Sequence, residues 1–260
     1  MSRLNRLAIL VILLLTSCGH FAAEKSKPLT AVSPPALMKI ADNVWVHKSY
    51  EHVEPWGNIL SQGLVVRTDT GLVLVDSAWN DADTEKLLDL IKIELGGMPV
   101  AAIFTHAHND KMGGVGAIRR AGIKTFAHPL SNIEAPKNGL TPAEFDLTFS
   151  EPRGRETVPG QPASAGLSYF YPGAGHAADN IIVYDAKSKT LFAGCFIRPG
   201  TASGLGNTAD GDVTNWAGAV RAVATEYPDA EFIIPSHGAP GGRALLQHTI
   251  DLVNAAQENQ

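Results

Sequence analysis

The chain has 260 residues, of which 45% are hydrophobic and 18% charged, with a formal net charge of −5. That length fits one α/β domain behind a short leader, with enough chain to bury a substantial core. The mildly acidic balance, with Lys and Arg scattered rather than clustered, argues against a polycationic surface, so no nucleic-acid partner is expected.

At the start, Arg3 and Arg6 precede an unbroken apolar run over residues 7–15, too short to span a bilayer. Leu15, Thr16, Ser17 and Cys18 then resemble a bacterial lipobox. Residues 1–17 read as a lipoprotein-type signal peptide, with Cys18 left at the new N-terminus to be acylated. Ordinary secretory cleavage near Phe21 is the alternative. Residues 18–36, rich in Ala, Ser, Lys and Pro, read as a flexible tether, and residues 37–260 as the folded domain. The expected location is the periplasm, with an anchor to the outer membrane. The chain has two cysteines, Cys18 and Cys195. If the first carries lipid, the second has no disulfide partner, and in an oxidising compartment it calls for ligation or burial.

Residues 37–48 begin the fold as a strand, and 49–63 read as a loop. Strands over 64–66 and 72–75 follow, joined by a turn at Asp69, Thr70 and Gly71. Asn80 or Asp81 can cap a helix running to about Leu95, with Leu87, Leu88, Ile91 and Leu95 on one face and Gly96 as its stop. Residues 100–104 read as a buried strand, 113–121 as a short helix, 124–127 as a strand and 129–138 as a helix. This alternation argues for βαβ units in an α/β fold. No element is expected over 151–165. Strands at 166–171, 181–184 and 190–194 precede a long Gly/Ser/Thr loop at 199–212, of a length often tied to function. Amphipathic helices over 213–227 and 243–256 close the chain.

The chemistry concentrates at strand ends. His106, His108 and Asp110 alternate directly after the run at 100–104, and in an extended chain such residues share one side. His176 lies in a turn-rich loop between two strands, Cys195 ends a strand and His237 follows one. Any one of these alone reads more easily as an ordinary polar or buried residue. Together they are six donors of the kind Zn²⁺ takes, too many for one tetrahedral ion. They suit two, one held by three His and one by Asp, Cys and His, each with a position open for water.

The order His-x-His-x-Asp, His, Cys, His, with Leu74 to Trp79 and Pro235 to Pro240, resembles the metallo-β-lactamases from about residue 40 to the C-terminal helix. The Asp-Cys-His set is similar to that of their first subclass, which includes the New Delhi and Verona types. Other hydrolases of the superfamily typically have a second His where Lys111 stands, and a bridging Asp in place of Cys195. The resemblance implies an αββα sandwich, two zinc ions per chain and a monomer acting on small β-lactam substrates. It further implies hydrolysis of the lactam amide of penicillins, cephalosporins and carbapenems by a zinc-bound hydroxide, which confers antibiotic resistance. His106, His108 and His176 would hold the zinc that polarises the carbonyl. Asp110, Cys195 and His237 would hold the zinc facing the departing nitrogen, with Asp110 also orienting the nucleophile.

Asn207 matches the family's Asn that helps bind the carbonyl oxygen, though loop Asn residues commonly form turns. Trp56 would sit on a mobile flap over apolar substrate groups, or else pack down on the fold. Arg198, where relatives often have Lys, would grip the substrate carboxylate or else point to solvent. Asp76 would accept a proton from a ligand His and fix its tautomer, or cap backbone at a strand end. Lys111 would place positive charge beneath the Asp-Cys-His set, or lie on the surface. His20, His47, His52, His128 and His248 lack ligand neighbours at useful spacing. Two other functions compete: a lactonase or thioesterase of the same superfamily, disfavoured by Lys111 and Cys195, and an exported zinc-binding lipoprotein without turnover, for which no His/Asp-rich loop is visible.

Overall fold

A computed structural model describes residues 32–150 and 155–258. The signal, lipobox and Cys18 readings, with His20 and most of the tether, lie outside the described residues. The first sheet takes its seven strands in chain order: β1 (Ala36–Ala41), β2 (Val44–Val53), β3 (Gly57–Thr68), β4 (Gly71–Val75), β5 (Pro99–Phe104), β6 (Lys124–Ala127) and β7 (Phe145–Asp146). From β1 to β4 the pairing is antiparallel; from β4 to β7 it is parallel, with helices as crossovers. The second sheet contains β8 (Arg155–Thr157), β9 (Leu167–Phe170), β10 (Ile182–Asp185), β11 (Thr190–Gly194) and β12 (Phe232–Pro235), in spatial order β12-β11-β10-β9-β8.

Side-chain alternation along the strands separates the layers. Leu64, Val66, Val73, Val75 and Ile103 face Tyr169, Val183, Phe192 and Ile234 of the other sheet. The intervening Val65, Leu72, Leu74, Ala102 and Phe104 face outward, against α1 (Asp81–Leu95) and α3 (Val115–Arg120). On the far side Ile182, Tyr184 and Leu191 meet Trp216, Val220 and Val223 of α5 (Val213–Glu226), and Leu246, Ile250 and Val253 of α6 (Ala244–Glu258). The result is the αββα sandwich. Each fully buried side chain of this size contributes roughly 1.5–3 kcal/mol. Because both faces of these strands are apolar, a slip of one residue would still bury apolar side chains, so register rests on the fit of side-chain sizes and on the turns.

The cap at α1 is as expected: the Asn80 side chain accepts from Asp83 N, and Gly96 ends the helix in the left-handed region at φ 79°. Three expectations need correction. Residues 49–63 are not a loop but most of a long hairpin, paired from Val44–Val66 out to Val53–Gly57. Its outer half projects past the core, so it lacks the apolar alternation that marks a strand. Within the stretch expected to lack elements, β8 forms by pairing with β9. The helix expected at 113–121 is α3, starting only at Val115, and an unexpected one-turn helix α2 (Asn109–Met112) precedes it, with Gly113 and Gly114 between them. There the chain passes so close to α1 and the residues just before it that a Cβ at Gly113 would lie 2.0 Å from Trp79 O, and one at Gly114 1.8 Å from Thr84 Oγ1.

Candidate active site

The ends of β4, β5 and β11, and the loop after β12, open on one face of the sandwich, and every expected donor lies there. His106, His108 and Asp110 are not on an extended strand. Strand β5 stops at Phe104, residues 105–108 bend, and His108 is the N-cap residue of the one-turn α2. The bend rather than strand alternation makes the three converge. It is held by Asp179 Oδ2, which accepts from Ala107 N at 2.8 Å, and by Asn138 Nδ2, which donates to Ala107 O at 2.8 Å.

Two sets of donor atoms result. His106 Nε2 lies 3.0 Å from His108 Nδ1, which lies 3.3 Å from His176 Nε2. Beside them Cys195 Sγ lies 3.4 Å from Asp110 Oδ2 and 3.2 Å from His237 Nε2, with His237 and Asp110 3.5 Å apart. Zinc bonds of about 2.0–2.3 Å at tetrahedral angles put donors roughly 3.3–3.7 Å apart. The observed separations of 3.0–3.5 Å are at or slightly inside that spacing, so a small outward shift of His106 or His108, and of Cys195 or His237, seats such an ion in either set. The sets also overlap: donors of His106 and Asp110 each fall within clusters that join the two.

Partners behind the rings fix which nitrogen faces the centre. His237 Nδ1 donates to Leu60 O at 2.6 Å, leaving Nε2 free as a ligand. His108 Nε2 donates to Asp210 Oδ2 at 3.0 Å, leaving Nδ1. This is the carboxylate–histidine arrangement that orients metal ligands. Sequence reasoning noted the 199–212 loop but missed Asp210, because nothing local marks one acid there as a partner for a His far away in the chain. It also missed Ser61 and Ser236: the first fell in the supposed loop, and a Ser gives no signal by itself.

Burial sets the charges. Lys111 is fully buried rather than on the surface, with Nζ 3.1 Å from Asp110 Oδ2 and 3.7 Å from Asp76 Oδ2. It donates to Ser61 Oγ, Gln62 O and Ser236 Oγ. Burial alone would push the Asp110 carboxyl up, but Lys111, then His237 and His106, hold it well below the usual carboxylate range. Burial likewise opposes the Lys111 charge, yet Asp110, Cys195 and Asp76 together push its pKa up. Burial and then Asp110 push the Cys195 thiol well up, against Lys111. Burial lowers His106 and His237, and takes His176 down to about 3, so all three rings are neutral at pH 7 and ready to donate lone pairs.

Asp76 departs from expectation. No ligand His donates to it. It accepts from Thr105 N at 2.8 Å and Thr105 Oγ1 at 2.9 Å, so it supports the chain just before His106. Its backbone holds φ 60°, a strained value for a non-Gly residue of the sort found beside functional sites. Burial pushes its carboxyl up to about 7, opposed by Lys111 and the Thr105 bonds.

Above the donors lies a cavity of about 370 Å³. Val53, Trp56 and Ile59 of the β2–β3 hairpin form one wall, with Trp79 beside them. Trp56 is 70% exposed, so it does not pack down on the fold. Arg198, Gly206 and Asn207 form the other wall. The Arg198 Nε donates to Gly204 O at 3.0 Å, and Asn207 Oδ1 accepts from Ala209 N at 3.1 Å, so Asn207 is both turn former and cavity wall. His47, His52, His128 and His248 lie away from the donor sets, bonded elsewhere.

Residues 56–237 match the family model of the metallo-β-lactamase superfamily. The chain is 30% identical over 244 residues to the metallo-β-lactamase type 2 of Bacteroides fragilis, spanning 94% of this chain and 95% of that protein. The chain belongs to the metallo-β-lactamase family. With the type 2 enzyme of Bacillus cereus it shares 33% identity, over 84% of this chain and 82% of that one. Among solved structures, FIM-1 of Pseudomonas aeruginosa in its mono-zinc form superposes with a TM-score of 0.81 at 44% identity, covering 86% of this chain and 96% of that one. The metallo-β-lactamase of Hirschia baltica gives 0.80 at 41%, covering 85% and 98%. The departures noted in the sequence therefore sit within a shared fold.

Proposed function

We propose that this chain hydrolyses the amide bond of β-lactams with two zinc ions and so confers resistance to them, penicillins, cephalosporins and carbapenems being the substrate class. The observation that carries this reading is the pair of adjoining donor sets on the floor of one cavity, between an apolar wall and a cationic one. His106, His108 and His176 hold one zinc; Asp110, Cys195 and His237 hold the other. When bound, zinc supplies a Lewis acid and a nucleophilic water that is deprotonated near neutral pH.

The chain's own residues do the rest. Asp110, kept ionised by Lys111, accepts a hydrogen bond from the attacking water and orients it. With the Asn207 Oδ1 engaged by Ala209 N, the amide NH₂ remains to donate to the lactam carbonyl oxygen. With the Arg198 Nε engaged by Gly204 O, both Nη groups remain to grip the carboxylate of the fused ring through parallel hydrogen bonds. Trp56, Val53 and Ile59 cover apolar side groups and exclude water. Arg198 thus holds the end of the substrate far from the two donor sets.

The test is a nitrocefin assay on purified protein. Turnover that a chelator abolishes and zinc restores is expected; zinc binding without turnover would favour a metal store, and turnover of lactones or thioesters alone would favour another hydrolase. We further propose a monomeric protein, exported by residues 1–17 and anchored to the outer membrane through acylated Cys18. Stable anchoring requires more than one acyl chain. In fractionated cells Cys18→Ala is expected to move the protein to the soluble periplasm; a wild type already soluble there would contradict the anchor.

A further inference from the structure

The outer half of the β2–β3 hairpin carries the apolar wall of the cavity, yet no core side chains lie beneath its tip. Pairing runs out at Val53–Gly57, and Trp56 stands largely in solvent. What holds the tip is polar. His52 sits opposite Asn58 in the register. Its Nδ1 lies 2.9 Å from Asn58 Oδ1 and its Nε2 2.9 Å from Glu54 Oε1. Glu51 completes the cluster: Oε1 accepts from His52 N, and Oε2 accepts from Asn80 Nδ2 at the start of α1.

A neutral imidazole has one N–H, and here both ring nitrogens face oxygen acceptors. Only the imidazolium donates to both at once. Turning the Asn58 amide would suit a neutral ring, but both bonds would then lose the charge on the ring. The charged groups facing His52 are Glu54 and Glu51, both acidic, with none opposing them. The bond to Glu54, then that to Asn58, raises the pKa above the ordinary value of 6.5.

We infer that His52 is a positioning residue for Trp56: its imidazolium clasps the two strands at Glu54 and Asn58 and keeps the indole over the cavity mouth, and its deprotonation loosens the flap. The inference rests on the proposed role of the cavity as a β-lactam site. The sign follows from the cluster. A His whose pKa is raised by its partners holds its clasp at low pH and loses it as pH rises through that raised value. Binding of substrates with large apolar side groups therefore weakens as pH rises across neutrality, whereas compact substrates, which the flap scarcely touches, are unaffected by this group.

The experiment measures KM and kcat from about pH 5.5 to about pH 8.5, the range over which a His titrates. It uses one bulky and one compact β-lactam, with wild type, His52→Gln and Trp56→Ala. In wild type the ratio of bulky to compact KM should rise about two- to fivefold across that range, the scale of an exposed charged pair. In His52→Gln the ratio should be flat and set at its high-pH value. NMR of the wild type should show the Trp56 indole signal shifting with the His52 titration. A ratio that is flat in wild type, or that keeps its pH dependence in His52→Gln, overturns the clasp. If Trp56→Ala leaves both KM values unchanged, the flap reading fails instead, whatever His52 does.

Discussion

The two donor sets sit side by side but are built on opposite principles. The three-His set has no anionic donor: His106 and His176 are buried, the His108 side chain is 19% exposed, and the acid behind it, Asp210, is 58% exposed. The Asp-Cys-His set carries charge: Asp110 and Cys195 are buried over a Lys111 whose side chain is 0% exposed, while the His237 side chain is 26% exposed. Its thiol must lose a proton to bind, while burial lowers the pKa of His106 and His176 in the first set. An ion in the Asp-Cys-His set answers two anionic donors, which Lys111 faces when no ion is bound. The three-His set needs only geometry, supplied by the bend at 105–108 and by Asp210. One set is therefore governed by orientation and the other by charge balance and pH.

The largest expected effect comes from removing that balance. With metal chelated, Lys111→Met leaves buried Asp110 unpaired and should destabilise the fold by about 3–5 kcal/mol, read as a shift in denaturant midpoint. An unchanged midpoint would mean that Asp110 is protonated or hydrated in the metal-free protein.

Next comes the pH dependence of stability beside Lys111. His47 is buried against Val75 O and Asp76 O, and burial, with Lys111 nearby, lowers its pKa to about 4. Above pH 6.5 neither the folded nor the unfolded chain protonates it. Between 6.5 and about 4 only the unfolded chain does, so stability falls as pH falls through that window. The loss from this one group is roughly 3 kcal/mol, and His47→Gln should reduce the slope of stability against pH by about that much. An equal slope in the variant would show that His47 is not kept neutral.

Asp210→Ala should weaken metal binding at the three-His set by about 10–100-fold, and leave the Asp-Cys-His set unaltered in a zinc titration. Equal weakening of both would erase the distinction between them. Smallest is Arg198→Ala, with a loss of about tenfold in kcat/KM and partial recovery in Arg198→Lys. A substrate ester lacking the free carboxylate should be the poorer substrate for wild type, and that gap should shrink in Arg198→Ala. An unchanged gap would assign the carboxylate to another group.

The sequence made the donors legible because zinc chemistry restricts residue type so sharply: His106, His108, Asp110, His176, Cys195 and His237 stood out, and all six lie on one face. Core layering was equally legible, since Leu64, Val65 and Val66 form the unbroken apolar run that a strand buried on both faces requires. Less visible was whatever depends on distant pairing. The outer hairpin has polar residues on both faces, so His52, Asn58 and Ser61 looked like loop. Asp210 and Asp76 take their roles from partners far along the chain, and Asp76 serves Thr105 rather than a ligand ring. Lys111 was recognised by its position in the motif, but its complete burial follows from Ser61, Gln62 and Ser236 closing around it.

The most direct measurement is a calorimetric zinc titration of wild type and Cys195→Ser at two pH values below the thiol's raised pKa. Wild type should take two ions, one with an affinity nearly independent of pH. The other should bind with release of a proton and gain about tenfold in affinity per pH unit. Cys195→Ser should keep the first and lose the second together with its pH dependence. A single ion in wild type, or equal occupancy of wild type and Cys195→Ser at limiting zinc, would contradict two sites built on different principles.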